Sequence, residues 1–77
     1  MHKQVDARNL LCPMPVIKLQ EAINGCQVDD VIEISCTDPG VLQDIPAWVN
    51  VHDHQVVECF DDFDYSGVIK IWVRVQD

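Results

Sequence analysis

The sequence predicts a two-layer α/β (α+β) sandwich of order β-α-β-α-β-β, with two helices on one face of a mixed four-stranded sheet. Three observations lead there. Val31 to Cys36 and Val68 to Val75 alternate strictly, with Ile32, Ile34 and Cys36 opposing Glu33 and Ser35, and Ile69, Ile71, Val73 and Val75 opposing Lys70, Trp72 and Arg74. One face of each strand is therefore wet, so helices pack on the other face only. Between the strands, Val16, Leu19 and Ile23 recur at helical spacing, and prolines stand where helices start.

Val5 to Arg8 is a short extended segment, and Asn9 leads from it into a loop, where asparagine tolerates left-handed backbone better than most residues. The first helix starts at Pro13, because the first helical N–H groups lack intrahelical partners and Pro13 and Pro15 forfeit nothing there. It runs to about Asn24. Val16, Leu19 and Ile23, joined by Ile17, form its buried stripe, while Lys18, Gln20, Glu21 and Asn24 face water. Gly25 then serves as a left-handed terminator.

The crossover through this helix makes its flanking strands parallel if they share a sheet. After Cys36, Thr37-Asp38-Pro39-Gly40 reads as a helix-start or turn signal, with Asp38 as cap and Pro39 able to occupy a first turn. Asp44-Ile45-Pro46 reads as a second start, capped by Asp44, of a helix that reaches Val51 or His52, so a short turn and then the helix is the expectation. Trp48 anchors that helix to the core. Gln55 to Phe60 and Val68 to Val75 are the last strands, joined through Asp61 to Gly67 as a hairpin connection. With no repeat, linker or low-complexity stretch, residues 1–77 form one domain.

At 77 residues the core supplies only a few kcal/mol of net stability, yet the 48% hydrophobic content suffices for folding. No run of about 18 apolar residues exists, and Met1-His2-Lys3-Gln4-Val5-Asp6 lacks the apolar stretch of a signal peptide, so a cytoplasmic location without membrane association is expected. Four cysteines without a Cys-x-x-Cys pair then read as reduced thiols rather than as a disulfide framework. His52 and His54 with Asp53 offer too few ligands for a metal. A net charge of −8 argues against direct nucleic-acid binding, since that affinity comes from basic residues. The acidic surface suits a basic protein partner, or simply solubility.

Cys12 stands apart from the other thiols. Just ahead of a helix, it faces the positive end of a macrodipole worth roughly half an elementary charge, which favours thiolate over thiol. The effect is weakened because Pro13 and Pro15 contribute no N–H donors. Arg8 and Lys18 are the nearest cations in sequence, either favouring an anion or acting as ordinary surface charges. Asp6 organises the loop by pairing with Arg8. Cys36 lies in phase with Ile32 and Ile34 and Cys59 with Val57, both as core, whereas Cys26 follows Gly25 and has nothing to activate it. Trp72, on the polar phase of its strand, either docks a partner or lies against a loop.

Asp6-x-Arg8-x-x-x-Cys12-Pro13-x-Pro15 resembles the Cys-Pro-x-Pro signature of the TusA/SirA/YedF family of small sulfur-carrier proteins. The resemblance continues through Thr37-Asp38-Pro39 and Asp44-Ile45-Pro46-Ala47-Trp48 to Lys70-Ile71-Trp72-Val73-Arg74, covering nearly the whole chain in order. It implies the same sandwich fold, and sulfane sulfur carried as a persulfide on Cys12, with Asp6, Arg8, Pro13, Pro15 and Lys18 in support and no cofactor or metal. A cysteine desulfurase or rhodanese-type protein would be the donor and a sulfur-relay protein the acceptor, in tRNA thiolation, cofactor sulfuration or sulfur metabolism. A carrier that exposes its thiol to two successive proteins is most simply a monomer. Two positions depart from the pattern: Asn9 stands where many members have glycine, and Val49 where some have a second cysteine. Two other functions fit the same residues, a non-catalytic regulatory or interaction module and a thiol redox sensor. The transfer chemistry asks that Cys12 be exposed and partly ionised.

Overall fold

A computed structural model describes residues 2–76, so Met1 and Asp77, the ends of the domain the sequence implies, lie outside the described residues. The elements are β1 (His2–Ala7), α1 (Met14–Asn24), β2 (Val31–Cys36), α2 (Val41–Val51), β3 (Gln55–Asp62), α3 (Phe63–Ser66) and β4 (Val68–Arg74). They form one four-stranded sheet of order β1-β2-β4-β3. β1 pairs parallel to β2, as the crossover requires, and β4 runs antiparallel to both β2 and β3. The mixed sheet and the two-layer arrangement match the expectation, with the one-turn α3 added.

The core follows the alternation. Ile32, Ile34 and Cys36 of β2 and Ile69, Ile71 and Val73 of β4 have no exposed surface, and they pack with Leu19 and Ala22 of α1 and Val41, Ile45 and Val49 of α2. On the other face of β4, Lys70, Trp72 and Arg74 are half-buried. Trp72 lies within the sheet beside His2, Val31, Val57 and Glu58 rather than against a loop.

Several boundaries differ from expectation. α1 begins at Met14, with Pro13 as its N-cap residue, whose carbonyl accepts the first helical bond from the Ile17 N–H at 3.2 Å. Pro15, Leu19 and Ala22 are its buried residues, Val16 and Ile23 of the expected stripe pack half-buried against the core, and Ile17 is exposed. The helix turns its Pro15 edge to the sheet, which carries Ile17 outward. Gly25 has φ −97° and is not left-handed. The last turn instead tightens, the Gly25 N–H donating to the Ala22 carbonyl at 3.1 Å and the Cys26 N–H to that of Ile23 at 3.0 Å.

The second helix starts a turn earlier than Asp44. Burial of Val41 contributes about 1.5–3 kcal/mol and each added backbone hydrogen bond about 0.5–1.5 kcal/mol. Together these offset the cost of about 3 kcal/mol for Pro46 inside the helix, and Asp44 becomes a first-turn residue rather than a cap. In the chain's second half, Asp61 and Asp62 extend β3, Phe63–Ser66 form a helical turn, and Gly67 ends it at φ 77°, a left-handed conformation open to glycine. A register shift between Val56 and Glu58 puts Cys59 opposite Ile71 and out of phase with Val57. Because β3 is an edge strand, Cys59 is exposed and not core.

Ile71, on a central strand, tests this core. Ile71→Ala should cost about 2–5 kcal/mol, comparable with the whole net stability of so small a domain. Urea denaturation followed by circular dichroism should show the transition shifted to very low denaturant or lost, while Lys18→Ala, on the exposed side of α1, should unfold within about 0.5 kcal/mol of the parent.

Candidate functional site

β1 and β2 are parallel neighbours, with Ala7 beside Cys36, so both strands end at the same edge of the sheet. The loop after β1 therefore meets the loop after β2. Arg8 first folds back on Asp6: its backbone N–H and its Nε donate to Asp6 Oδ1 at 3.0 and 2.9 Å, and its Nη2 to Oδ2 at 3.1 Å. The guanidinium fork, with the backbone bond, lowers the Asp6 carboxyl to about 2. Both side chains are exposed, so the pair fixes the chain's path more than it adds stability.

Asn9 takes the left-handed turn that asparagine permits, at φ 66°. From there its N–H donates to Thr37 Oγ1 at 2.8 Å. The Cys12 N–H donates to Asp38 Oδ2 at 3.0 Å, and the other Asp38 oxygen accepts the Gly40 N–H at 3.0 Å. These two bonds hold the Asp38 carboxyl below the usual carboxylate range. Cys12 Sγ then lies 2.6 Å from Asp44 Oδ2, with the thiol as donor. Cys12 is exposed, and the peptide bond to Pro13 is cis. Leu11, Met14 and Ile17, within five residues of Cys12 in sequence, carry exposed apolar side chains, Leu11 at 76%.

The expected lowering of the Cys12 thiol pKa does not occur. It is raised, first by the hydrogen bond to Asp44, then by partial desolvation, then by the charges of Asp44 and Asp38. The helix end has little with which to compete, since Pro13 and Pro15 have no N–H and the Met14 N–H is bonded to the Leu11 carbonyl at 2.9 Å. Neither Arg8 nor Lys18 figures among the causes of the shift. Arg8 is turned to Asp6, and Lys18 is exposed on α1 without an ion pair among the described residues.

A family model described as "Sulfurtransferase TusA" matches residues 3–75. The chain belongs to the TusA family. The sulfur carrier protein TusA of Pseudomonas putida is 29% identical over 70 residues, covering 91% of this chain and 84% of its own. YrkI of Bacillus subtilis is 32% identical over 72 residues, covering 94% and 92%. The crystal structure of a SirA-like protein from Desulfitobacterium hafniense superposes with a TM-score of 0.82 at 20% identity over 100% of both chains, a likeness of fold.

Within this TusA-family chain, Asp38 and Asp44 are the site residues that sequence reasoning missed as such. Both were legible as helix-start residues, but their contacts with Cys12 span 26 and 32 positions, beyond any local pattern. Pro15 is buried under α1 rather than displayed at the site. Cys36 is buried and its thiol is pushed up to about 11 by desolvation, then by the charges of Asp38 and Asp6. Cys26 is half-buried against the core. The His52 ring stacks on Trp48 with centroids 4.1 Å apart, and His54 Nδ1 accepts the Gln76 N–H at 3.0 Å. Among the described residues no group of three or more His, Cys, Asp or Glu side chains is placed to hold a metal ion.

The Asp6–Arg8 fork has a direct test. Because Asp6 is held low in the folded state, its contribution is present above the ordinary carboxylate value and is lost as pH falls through about 2. In Arg8→Ala, which removes the guanidinium but keeps the backbone N–H donor of residue 8, the Asp6 side-chain carbon should titrate by NMR above about 2 and still short of the ordinary 3.8.

Proposed function

We propose that this chain accepts sulfane sulfur as a persulfide on Cys12 and relays it to the thiol of an acceptor protein, in the cytoplasm and as a sulfurtransferase without metal or cofactor. The observation that carries the proposal is an exposed Cys12 at the head of α1 in a TusA-family chain. The Cys12 thiolate attacks the outer sulfur of a donor cysteine persulfide. One S–S bond forms at Cys12, the donor's S–S bond breaks, and the donor cysteine leaves as a thiolate that takes up the proton Cys12 gave to solvent. No net oxidation occurs. Unloading repeats the same exchange, with an acceptor thiol attacking the outer sulfur and Cys12 leaving.

Donors of the required chemistry are cysteine desulfurases and rhodanese-type proteins, and the acceptor is a sulfur-relay protein serving tRNA thiolation, cofactor sulfuration or sulfur metabolism. Leu11, Met14 and Ile17 offer apolar surface beside the thiol for a partner to cover. A redox-sensor role is disfavoured, because sensor cysteines combine exposure with a low pKa and Cys12 has only the first.

Intact-protein mass spectrometry after incubation with a cysteine desulfurase and cysteine tests the proposal. The wild-type chain should gain the mass of one sulfur atom, removable by a reducing thiol, and Cys12→Ser should gain none. A gain that persists in Cys12→Ser, or none in the wild type, would overturn it.

A further inference from the structure

A carrier's thiol has to be available to its donor yet stay unreacted in the presence of small sulfur compounds and electrophiles. In the free chain Cys12 is held in a way that serves the second need. Its Sγ–H is bonded to Asp44 Oδ2 at 2.6 Å, and its backbone N–H is clamped by Asp38. Asp44 is itself fixed on the first turn of α2, its N–H donating to the Gly40 carbonyl at 3.0 Å. The hydrogen bond and the two carboxylate charges together favour the thiol form over the reactive thiolate.

We propose that Asp44 determines donor specificity, latching Cys12 as an unreactive thiol until a docked donor protein brings a cationic side chain against Asp44. The inference rests on Cys12 being the sulfur-accepting residue. The charged groups around Cys12 make the cation's source external. Asp38 approaches from the loop before α2 and Asp44 from α2 itself, both negative. Within Cys12's own loop Arg8 is committed to Asp6 by two side-chain hydrogen bonds, and Lys18 on α1 makes no ion pair among the described residues. A cation that pairs with Asp44 removes both the acceptor of the thiol proton and the repulsion of the developing thiolate. The partner face that fits is thus basic beside its persulfide cysteine, and apolar where it meets Leu11, Met14 and Ile17. A small donor such as glutathione persulfide is net anionic, with one ammonium against two carboxylates, and it has no docked protein face to hold that ammonium on Asp44, so Asp38 and Asp44 together repel it.

The test compares two sulfur donors, a cysteine desulfurase with cysteine and glutathione persulfide, on the full chain and on Asp44→Asn. Initial loading of Cys12 is read by mass spectrometry. In the wild type the desulfurase should load Cys12 much faster than glutathione persulfide does. Asp44→Asn should raise loading by glutathione persulfide, and alkylation by iodoacetamide at neutral pH, at least several-fold. Loading by the desulfurase should not rise in step, so the ratio between the two donors falls. Asp44→Glu, which keeps a carboxylate, should retain most of the ratio. Buried Cys36 should stay unalkylated in every variant, which certifies that each is folded. An unchanged donor ratio in folded Asp44→Asn, or alkylation no faster than in the wild type, overturns the latch while leaving the carrier function standing. A wild type that takes no sulfur on Cys12 from the desulfurase overturns both.

Discussion

The hydrogen bonds that Cys12 donates to Asp38 and Asp44 are the constraint on which the rest of the site depends. They exist because of the topology. β1 and β2 run parallel and end side by side, so the residues that follow Ala7 and those that follow Cys36 leave the sheet together. α1 and α2 both begin there. A thiol in the first connection and a carboxylate in each of two places beyond the second strand then meet across 26 and 32 positions of sequence. Antiparallel pairing of the same strands would have sent the two connections to opposite ends of the sheet. The outward-facing thiol is thus a product of the βαβ unit, and the helical layer, packed through Leu19, Val41, Ile45 and Val49, keeps its neighbours in place.

The electrostatics of the site turn on which charge is nearer and better connected. A helix end offers partial charges on its free N–H groups, and here two of the first positions are proline and one N–H is already bonded. Asp44 offers a full negative charge in hydrogen-bond contact with Sγ, and Asp38 adds a second at the backbone of the same residue. The carboxylates win. On the proposed latch, nucleophilicity is then a property of the complex rather than of the free chain, with the thiolate populated where a partner supplies positive charge. A more basic thiolate is also intrinsically the stronger nucleophile, so the hold on the proton does not forfeit all reactivity once it is released.

Much of the architecture was legible because the alternation in residues 31–36 and 68–75 has one solution, burying Ile32, Ile34, Ile69 and Ile71 on a single face. Where two signals competed, sequence pattern failed. Pro46 marked a helix start at Asp44, whereas burial of Val41 drew the helix back by a turn. Cys59 shared parity with Val57 until the register shift at Val56 and Glu58 broke it. Asn9 was legible through its own backbone preference, and the Asp6–Arg8 pair through its short spacing. The contacts of Cys12 were not, since no periodicity links it to Asp38 or Asp44. The helix-end argument, sound for Cys12 taken with α1 alone, had no means of counting charges that arrive from another part of the chain.

The protonation state of Cys12 in the free wild-type chain decides most directly whether the carboxylates govern this site. Labelling the cysteine β-carbons and following Cys12 by NMR across pH should place its titration above that of an ordinary cysteine, about 8.5. A midpoint below that value would mean that the helix end prevails over Asp44 and Asp38, and that the thiol is activated before any partner arrives.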